Sequence, residues 1–463
     1  MIEIAMSIIV VLAGAVAARF ATGDLSRNER VVITISLLAH VLAAVAQILI
    51  ARTLYGGGDN IYYITDGGHL ARAMEIDFER YGRFWLALLF QQTDEEVLPV
   101  IGIGSPTGSM VAIAAGLTLI LRYSYYAVSL TVALATLLSK VALYRVFREL
   151  LPAYAHRRVL AAVFLMPSFV FWSSGMQKEA IVVAGLGPAW LGIHRFIQGR
   201  TTIGVTLATL GVVPVALVKP YTLFVLVIAG GIWFAAAHLR AQKRRSERVS
   251  VRPIYVLVAV VAVYGAVVML GRLFPAYSVD KLGEGLAQHQ SVGVMLTENS
   301  RTRGGGDSAY SMGDAKAQGI QQQLADAPLA AATALFRPLP FEANNGLALI
   351  ASLEVLVLTI SLLQALTRRG VRGFFRAIFG TPVFLGSMAF AVMLGMGVGL
   401  ATTNFGSLSR YRMPLIPLYS TVVLVLALRV PAQARQRTGQ VRGSAAGSPR
   451  RSRLTARSVR HAG

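Results

Sequence analysis

Residues 178–252 read KEAIVVAGLGPAWLGIHRFI QGR TTIGVTLATLGVVPVALVK PYTLFVLVIAGGIWFAAAH LRAQKRRSERVSVR, spaced here to show three apolar runs and their basic punctuation. Each run is about as long as a helix needs to cross the hydrocarbon of a bilayer, roughly 20 residues. Working outward, comparable runs lie at 2–20, 31–53, 123–147, 156–174, 253–273, 346–366, 379–402 and 412–430. With 178–197, 201–219 and 220–238 they predict eleven spans, an all-α polytopic transmembrane bundle. Composition agrees: apolar residues make up 55%, charged residues 14%, and the mean hydropathy is +0.60. Such values fit a membrane bundle better than a soluble core.

The net charge of +22 would otherwise suggest nucleic acid. Its distribution argues against that partner, because the arginines fall in short connectors and a tail, with no basic domain interleaved with aromatics. Arg27 and Arg30; Arg145, Arg148, Arg157 and Arg158; Arg195 and Arg200; the run from Arg240 to Arg252; and Arg368, Arg369, Arg372 and Arg376 occupy alternate connectors. The positive-inside rule assigns all of them to the cytoplasm, with the C-terminus, and the N-terminus then lies outside. Two long connectors, 54–122 and 274–345, fall outside the membrane on the other face. The first holds eight acids, among them Asp59, Asp66, Glu75 and Asp77, in keeping with that orientation.

The apolar stretch 108–121 is short for a span and is expected to be a re-entrant or interface-lying helix. Met1–Arg19 has no basic leader and no small-residue cleavage site, so it is expected to be a retained span. Residues 1–430 thus form the bundle and its outer loops. The tail 431–463, rich in Arg, Gly and Ser, lacks the apolar content to pack and should adhere to anionic lipid. There are no cysteines, hence neither disulfides nor thiolate metal ligands.

Four places on the outer face carry candidate chemistry. In Gly56-Gly57-Gly58-Asp59, glycines after a span allow a tight turn and leave the Asp59 carboxylate near the membrane surface; the alternative is a helix N-cap. Asp66 reads as a cap, and His69 has no second histidine at metal-ligand spacing. In the hairpin Pro167-Ser168-Phe169-Val170-Phe171-Trp172-Ser173-Ser174-Gly175-Met176-Gln177-Lys178-Glu179, a proline breaks the helix and hydroxyls can satisfy freed backbone groups. Lys178 there either holds a phosphate or pairs with Glu179. Arg337, between Phe336 and Pro338 with Glu342 nearby, suits an ordered re-entry of the chain. Arg410 and Arg412, flanking Tyr411 in the last outer turn, break the positive-inside rule. They would suit a phosphate or pyrophosphate, or else lipid headgroups. Inside the spans, His40, Lys140 and Glu354 should face the bundle interior, and no relay pattern links them.

The order of an early Gly-Asp-x-x-x-Tyr, a PSxxFWSSGxxKEA hairpin, a late FRPxPxExxN segment and a final NFGxLxRxR turn resembles a group of bacterial membrane proteins, common in actinobacteria, grouped with surface polysaccharide synthesis. The resemblance covers most of residues 54–415. The layout is also similar to the GT-C glycosyltransferases, which take sugars from polyprenyl-phosphate donors. That similarity implies a transferase on the outer face of a bacterial plasma membrane, with a polyprenyl-linked sugar and a glycan or lipid acceptor as partners. It implies Asp59 as catalytic carboxylate; on the residues' own reading, Lys178, Arg410, Arg412 and, more weakly, Arg337 would then hold the donor phosphate. The chain departs from the GT-C pattern in an extra N-terminal span and a lone rather than paired acid, which leaves a metal cofactor without support. Two other readings stand beside it: a polymerase of polyprenyl-pyrophosphate-linked repeat units, and a flippase or non-catalytic partner in glycan synthesis. No inverted repeat or chain of midplane acids favours transport.

Overall fold

The structure is a computed structural model that describes residues 1–54, 56–92, 97–244, 320–402 and 404–429. Among these residues the chain is all-helical. Eight helices are long and apolar enough to cross a membrane. They are α1 (Ile2–Ala21), α2 (Arg27–Thr53), α6 (Tyr125–Leu150), α9 (Lys178–Ile197), α10 (Thr201–Val218), α11 (Pro220–Arg244), α13 (Gly346–Gly380) and α14 (Pro382–Ala401). Between and after them lie α3 (Asp59–Ile76), α4 (Phe78–Leu89), α5 (Pro106–Ile120), α7 (His156–Phe164), α8 (Pro167–Trp172), α12 (Ile320–Phe336), α15 (Phe405–Tyr411) and α16 (Ile416–Leu426).

The eight match eight of the eleven expected spans. Of the other three, 253–273 lies outside the described residues, as do 274–319 of the second outer loop and the tail 431–463. The remaining two are not single long helices. The stretch 156–174 divides into α7 and α8, because Pro167 cannot continue the hydrogen-bond ladder. The break is satisfied from elsewhere: Ser36 Oγ of α2 donates to Phe164 O at 3.1 Å, and the Glu354 carboxylate of α13 accepts from Ser168 N at 3.0 Å and Ser168 Oγ at 2.8 Å. Glu354 is thereby accounted for as a buried partner to a helix start. The stretch 412–430 opens with a 3₁₀ turn, Met413–Leu415, before α16.

Among the described residues, four of the basic connectors meet at one end of the bundle. Arg148 at the end of α6 pairs with Glu29 at the start of α2 at 2.8 Å, and Arg195 at the end of α9 pairs with Glu149 at 2.7 Å. Arg369 donates to Leu426 O, a terminal carbonyl of α16, at 2.8 Å. Gly370, at φ 68°, turns the chain there, so α13 runs as a long span and a short following piece. Helices α2 and α6 therefore run antiparallel, as the alternation of connectors requires.

At the opposite end α3, α4 and α5 form a layer of their own over the first half of α6. Helix α5, expected to be re-entrant or interface-lying, is 15 residues long and packed between its neighbours, with Val111, Ala112, Ala114 and Ala115 fully buried. Gly67 lets α3 come so close that a Cβ there would sit 2.7 Å from Ala115 N. Helices α9 and α10 pack in the same backbone-to-backbone way through Gly185, Gly192, Gly204 and Gly211, the small-residue contact favoured between membrane helices. Beneath, Trp190, Trp233 and Phe390 tie α9, α11 and α14 into the main core.

Candidate functional site

The end of the bundle away from the basic connectors holds a cavity of about 350 Å³. Gln47, Ile50 and Ala51 from α2 form one wall, Phe171 and Trp172 from α8 another, and Asn345, Leu347 and Ala348 at the start of α13 a third. Gly58, Asp59, Gln177, Ser409 and Arg410 supply the polar rim. The size and the mixture of aromatic, apolar and a few charged groups are those of small-molecule sites.

Asp59 comes to the cavity through the three glycines before it. Gly56 and Gly57 adopt φ of 63° and 153°, values that disfavour side chains, and a Cβ on Gly57 would lie 2.7 Å from the Tyr62 hydroxyl. Gly58 is the N-cap of α3 and Asp59 its first helical residue, so Asp59 is not the cap. Its carboxylate instead pairs with Arg410 at 2.8 Å and remains 43% exposed. Asp66 is no cap either; it lies within α3 and accepts from Ile101 N at 2.9 Å. His69 is exposed, and no cluster of metal-ligating side chains occurs among the described residues.

Arg410 is shared between two carboxylates. Besides Asp59, its Nε lies 3.7 Å from Glu179, which is 1% exposed. Glu179 in turn pairs with Lys219 at 2.6 Å. Lys219 sits in the turn between α10 and α11, its ammonium 4.1 Å from the centre of the Tyr411 ring. Burial opposes its charge, yet the Glu179 carboxylate holds the ammonium above the ordinary lysine value. Tyr63 is pushed up by burial and by the charges of Asp59 and Glu179, so its phenol stays protonated. Glu179 and Lys219 are the members of the site that sequence reading missed. Lys219 was visible by the rule that singled out Arg410, as a basic residue in a turn at the end of the bundle away from the basic connectors.

The other candidates divide. Lys178 stands beside Glu179 but does not pair with it; its ammonium donates to Thr107 Oγ1 at the start of α5 at 2.7 Å, and it does not line the cavity. With Lys219 and Arg410 it makes three cations against two carboxylates, a net positive corner. Arg412 does not join them. It is fully buried and donates to Ala334 O at 3.3 Å and Arg337 O at 2.6 Å, closing the C-terminal carbonyls of α12. Arg337 is turned to Glu342, its Nε donating at 2.9 Å, and stacks over Phe405. Both arginines organise the re-entry of the chain into α13 instead of the cavity, because buried carbonyls at a helix end need donors wherever water is excluded.

Within the bundle, His40, Lys140 and Glu354 are all buried, as expected of ionisable groups facing its interior. Lys140 and His40 are in direct contact, Nζ to Nε2 at 2.9 Å, and Lys140 also donates to Ser173 Oγ at 2.9 Å beneath the Phe169 ring. His40 Nδ1 lies 2.6 Å from Ser36 O and must donate to it, which leaves Nε2 as the acceptor for lysine. No family model matches the chain, and no curated protein or solved structure matches it significantly.

Proposed function

We propose that the protein is a membrane glycosyltransferase that takes a sugar from a polyprenyl-linked phosphate donor at the outer face of a bacterial plasma membrane, in the synthesis of a surface glycan or glycolipid. The observation that carries this reading is the Asp59–Arg410 pair on the rim of an aromatic-walled cavity, at the bundle end opposite the basic connectors. In the proposed reaction the Asp59 carboxylate accepts the proton of the acceptor hydroxyl, and that oxygen bonds to the anomeric carbon. The bond from that carbon to the phosphate oxygen breaks, and its electron pair leaves with the polyprenyl phosphate. A positioned base typically contributes about 10²–10⁴-fold. Arg410 faces the charge that develops on the leaving phosphate, the kind of stabilisation that acts most strongly where water is scarce. Trp172 and Phe171 offer flat faces for a sugar ring. No step in this scheme requires a metal.

The test is transfer by the purified full chain in lipid nanodiscs, supplied in parallel with polyprenyl-monophosphate single sugars and with pyrophosphate-linked oligosaccharides. Turnover of the first, cut by about 10²–10⁴-fold in Asp59→Asn, supports the reading. Elongation of the second alone would make the protein a polymerase of repeat units, and turnover of neither, with binding retained, a non-catalytic partner.

A further inference from the structure

We propose that the substrate phosphate displaces Asp59 from Arg410, so that seating the anion and releasing the catalytic carboxylate are one event, with Glu179, itself anchored by Lys219, holding the guanidinium through the exchange. This rests on the lipid-phosphate reading of the cavity.

The two carboxylates on Arg410 are not equivalent. Asp59 is 43% exposed and faces the cavity, so its carboxylate can leave the guanidinium and be rehydrated at small cost. Glu179 is buried and also neutralises Lys219 at 2.6 Å, so moving it would strand a second buried cation. Exchange is therefore confined to the Asp59 side. The remaining groups around Arg410 keep the guanidinium in place: Tyr411 OH accepts from Nη2 at 3.2 Å, and Gln177 Oε1 lies 3.5 Å from Nη1.

Asp59 Oδ2 lies 2.8 Å from Arg410 Nη1, so its lone pair is engaged by the guanidinium and is not open to an acceptor hydroxyl. A phosphate offers the guanidinium fork more charge and more acceptor oxygens than a carboxylate does. Once it takes Arg410, the carboxylate is left at the rim with open lone pairs beside the bound donor. Donor binding thus precedes activation of the acceptor hydroxyl. Glu179 and Lys219 are positioning residues in this scheme, since they act through Arg410.

The experiment is calorimetric titration of the full chain in nanodiscs with geranyl phosphate, and in parallel with inorganic phosphate. Asp59→Asn removes the competing charge and is expected to tighten geranyl phosphate binding about tenfold, while Arg410→Gln abolishes it. Asp66→Asn, on the same helix but bonded to Ile101 N, is expected to leave it unchanged, which separates competition from a general loss of negative charge. Asp59→Ser, too short to reach the guanidinium, should repeat the tightening. In the transfer assay Asp59→Asn should lower kcat and KM together, whereas a merely structural aspartate would raise KM.

If both Asp59 variants bind no more tightly than the native chain while Arg410→Gln loses binding, the phosphate does not exchange with Asp59. The inference then falls and the lipid-phosphate reading survives. Equal binding by native protein and Arg410→Gln overturns the reading itself. Tightening with inorganic phosphate of the same size and affinity as with geranyl phosphate supports the exchange and assigns the anion to a soluble source.

Discussion

Glu179 carries two cations at once, and its removal should be costly out of proportion to one charge. Breaking a buried pair leaves an uncompensated charge, about 3–5 kcal/mol. Glu179→Gln is expected to lower the thermal unfolding midpoint in detergent markedly, and Glu179→Gln combined with Lys219→Met to recover most of the loss. An unchanged midpoint in the single variant would show that Glu179 does not hold this corner together. Glu342 gives a pH dependence at the same scale. Burial pushes its carboxyl up, but the Arg337 guanidinium and Leu339 N–H outweigh this and hold it below the ordinary glutamate value. A carboxyl lowered by folding adds stability above the unfolded value of about 4.3, and that contribution fades as pH falls through the lower folded value. Thermal midpoints measured from pH 6 down to 3 should therefore fall less steeply in Glu342→Gln than in the native chain. Of the four charges the sequence reading expected around one cavity, Asp59 and Arg410 line it and Lys178 and Arg412 do not. The sequence could not tell Arg410 from Arg412, two residues away. Whether a guanidinium faces a cavity or the carbonyls of α12 depends on a helix nearly 80 residues earlier in the chain.

Elements in this bundle meet through glycines, and the contacts are unforgiving at some and open at others. A Cβ on Gly211 of α10 would lie 2.4 Å from both Ala189 N and Gly185 O of α9, backbone atoms that move only if the helices part. Overpacking of this kind typically costs 1–3 kcal/mol. Gly211→Ala should reduce the folded yield and the thermal midpoint, whereas Gly231→Ala on α11, where no atom lies within 4 Å, should change neither. Equal effects in a fluorescence-detected size-exclusion assay would show that α9 and α10 are not in backbone contact. The break between α7 and α8 was legible as Pro167. Its partners were not: Ser36 and Glu354 reach it from helices about 130 residues before and 190 after.

For the molecule as a whole, the alternation of spans assigns the cavity and the basic connectors to opposite faces. Because the native chain has no cysteine, single introduced ones report this directly. Glu79→Cys, at an exposed position on α4, should react with an impermeant maleimide in intact spheroplasts. Arg372→Cys, exposed beyond the Gly370 turn, should react only after permeabilisation. The reverse pattern would place the Asp59 cavity on the cytoplasmic face and remove the outer-face transferase reading.

The sequence by itself determined the membrane class and the places of eight of the eleven expected spans, because crossing hydrocarbon demands runs of about 20 apolar residues whatever they pack against. It also put the ionisable groups at span ends or in the bundle, since isolated charge in lipid is expensive. Only the tertiary structure decided which charges meet. Lys219 with Glu179, Lys178 with Thr107, and Lys140 with His40 are pairings across helices, and each depends on rotations and offsets that a local apolar pattern leaves undetermined. A buried charge must find a partner, but no rule of spacing along one chain says which of several within reach it will be.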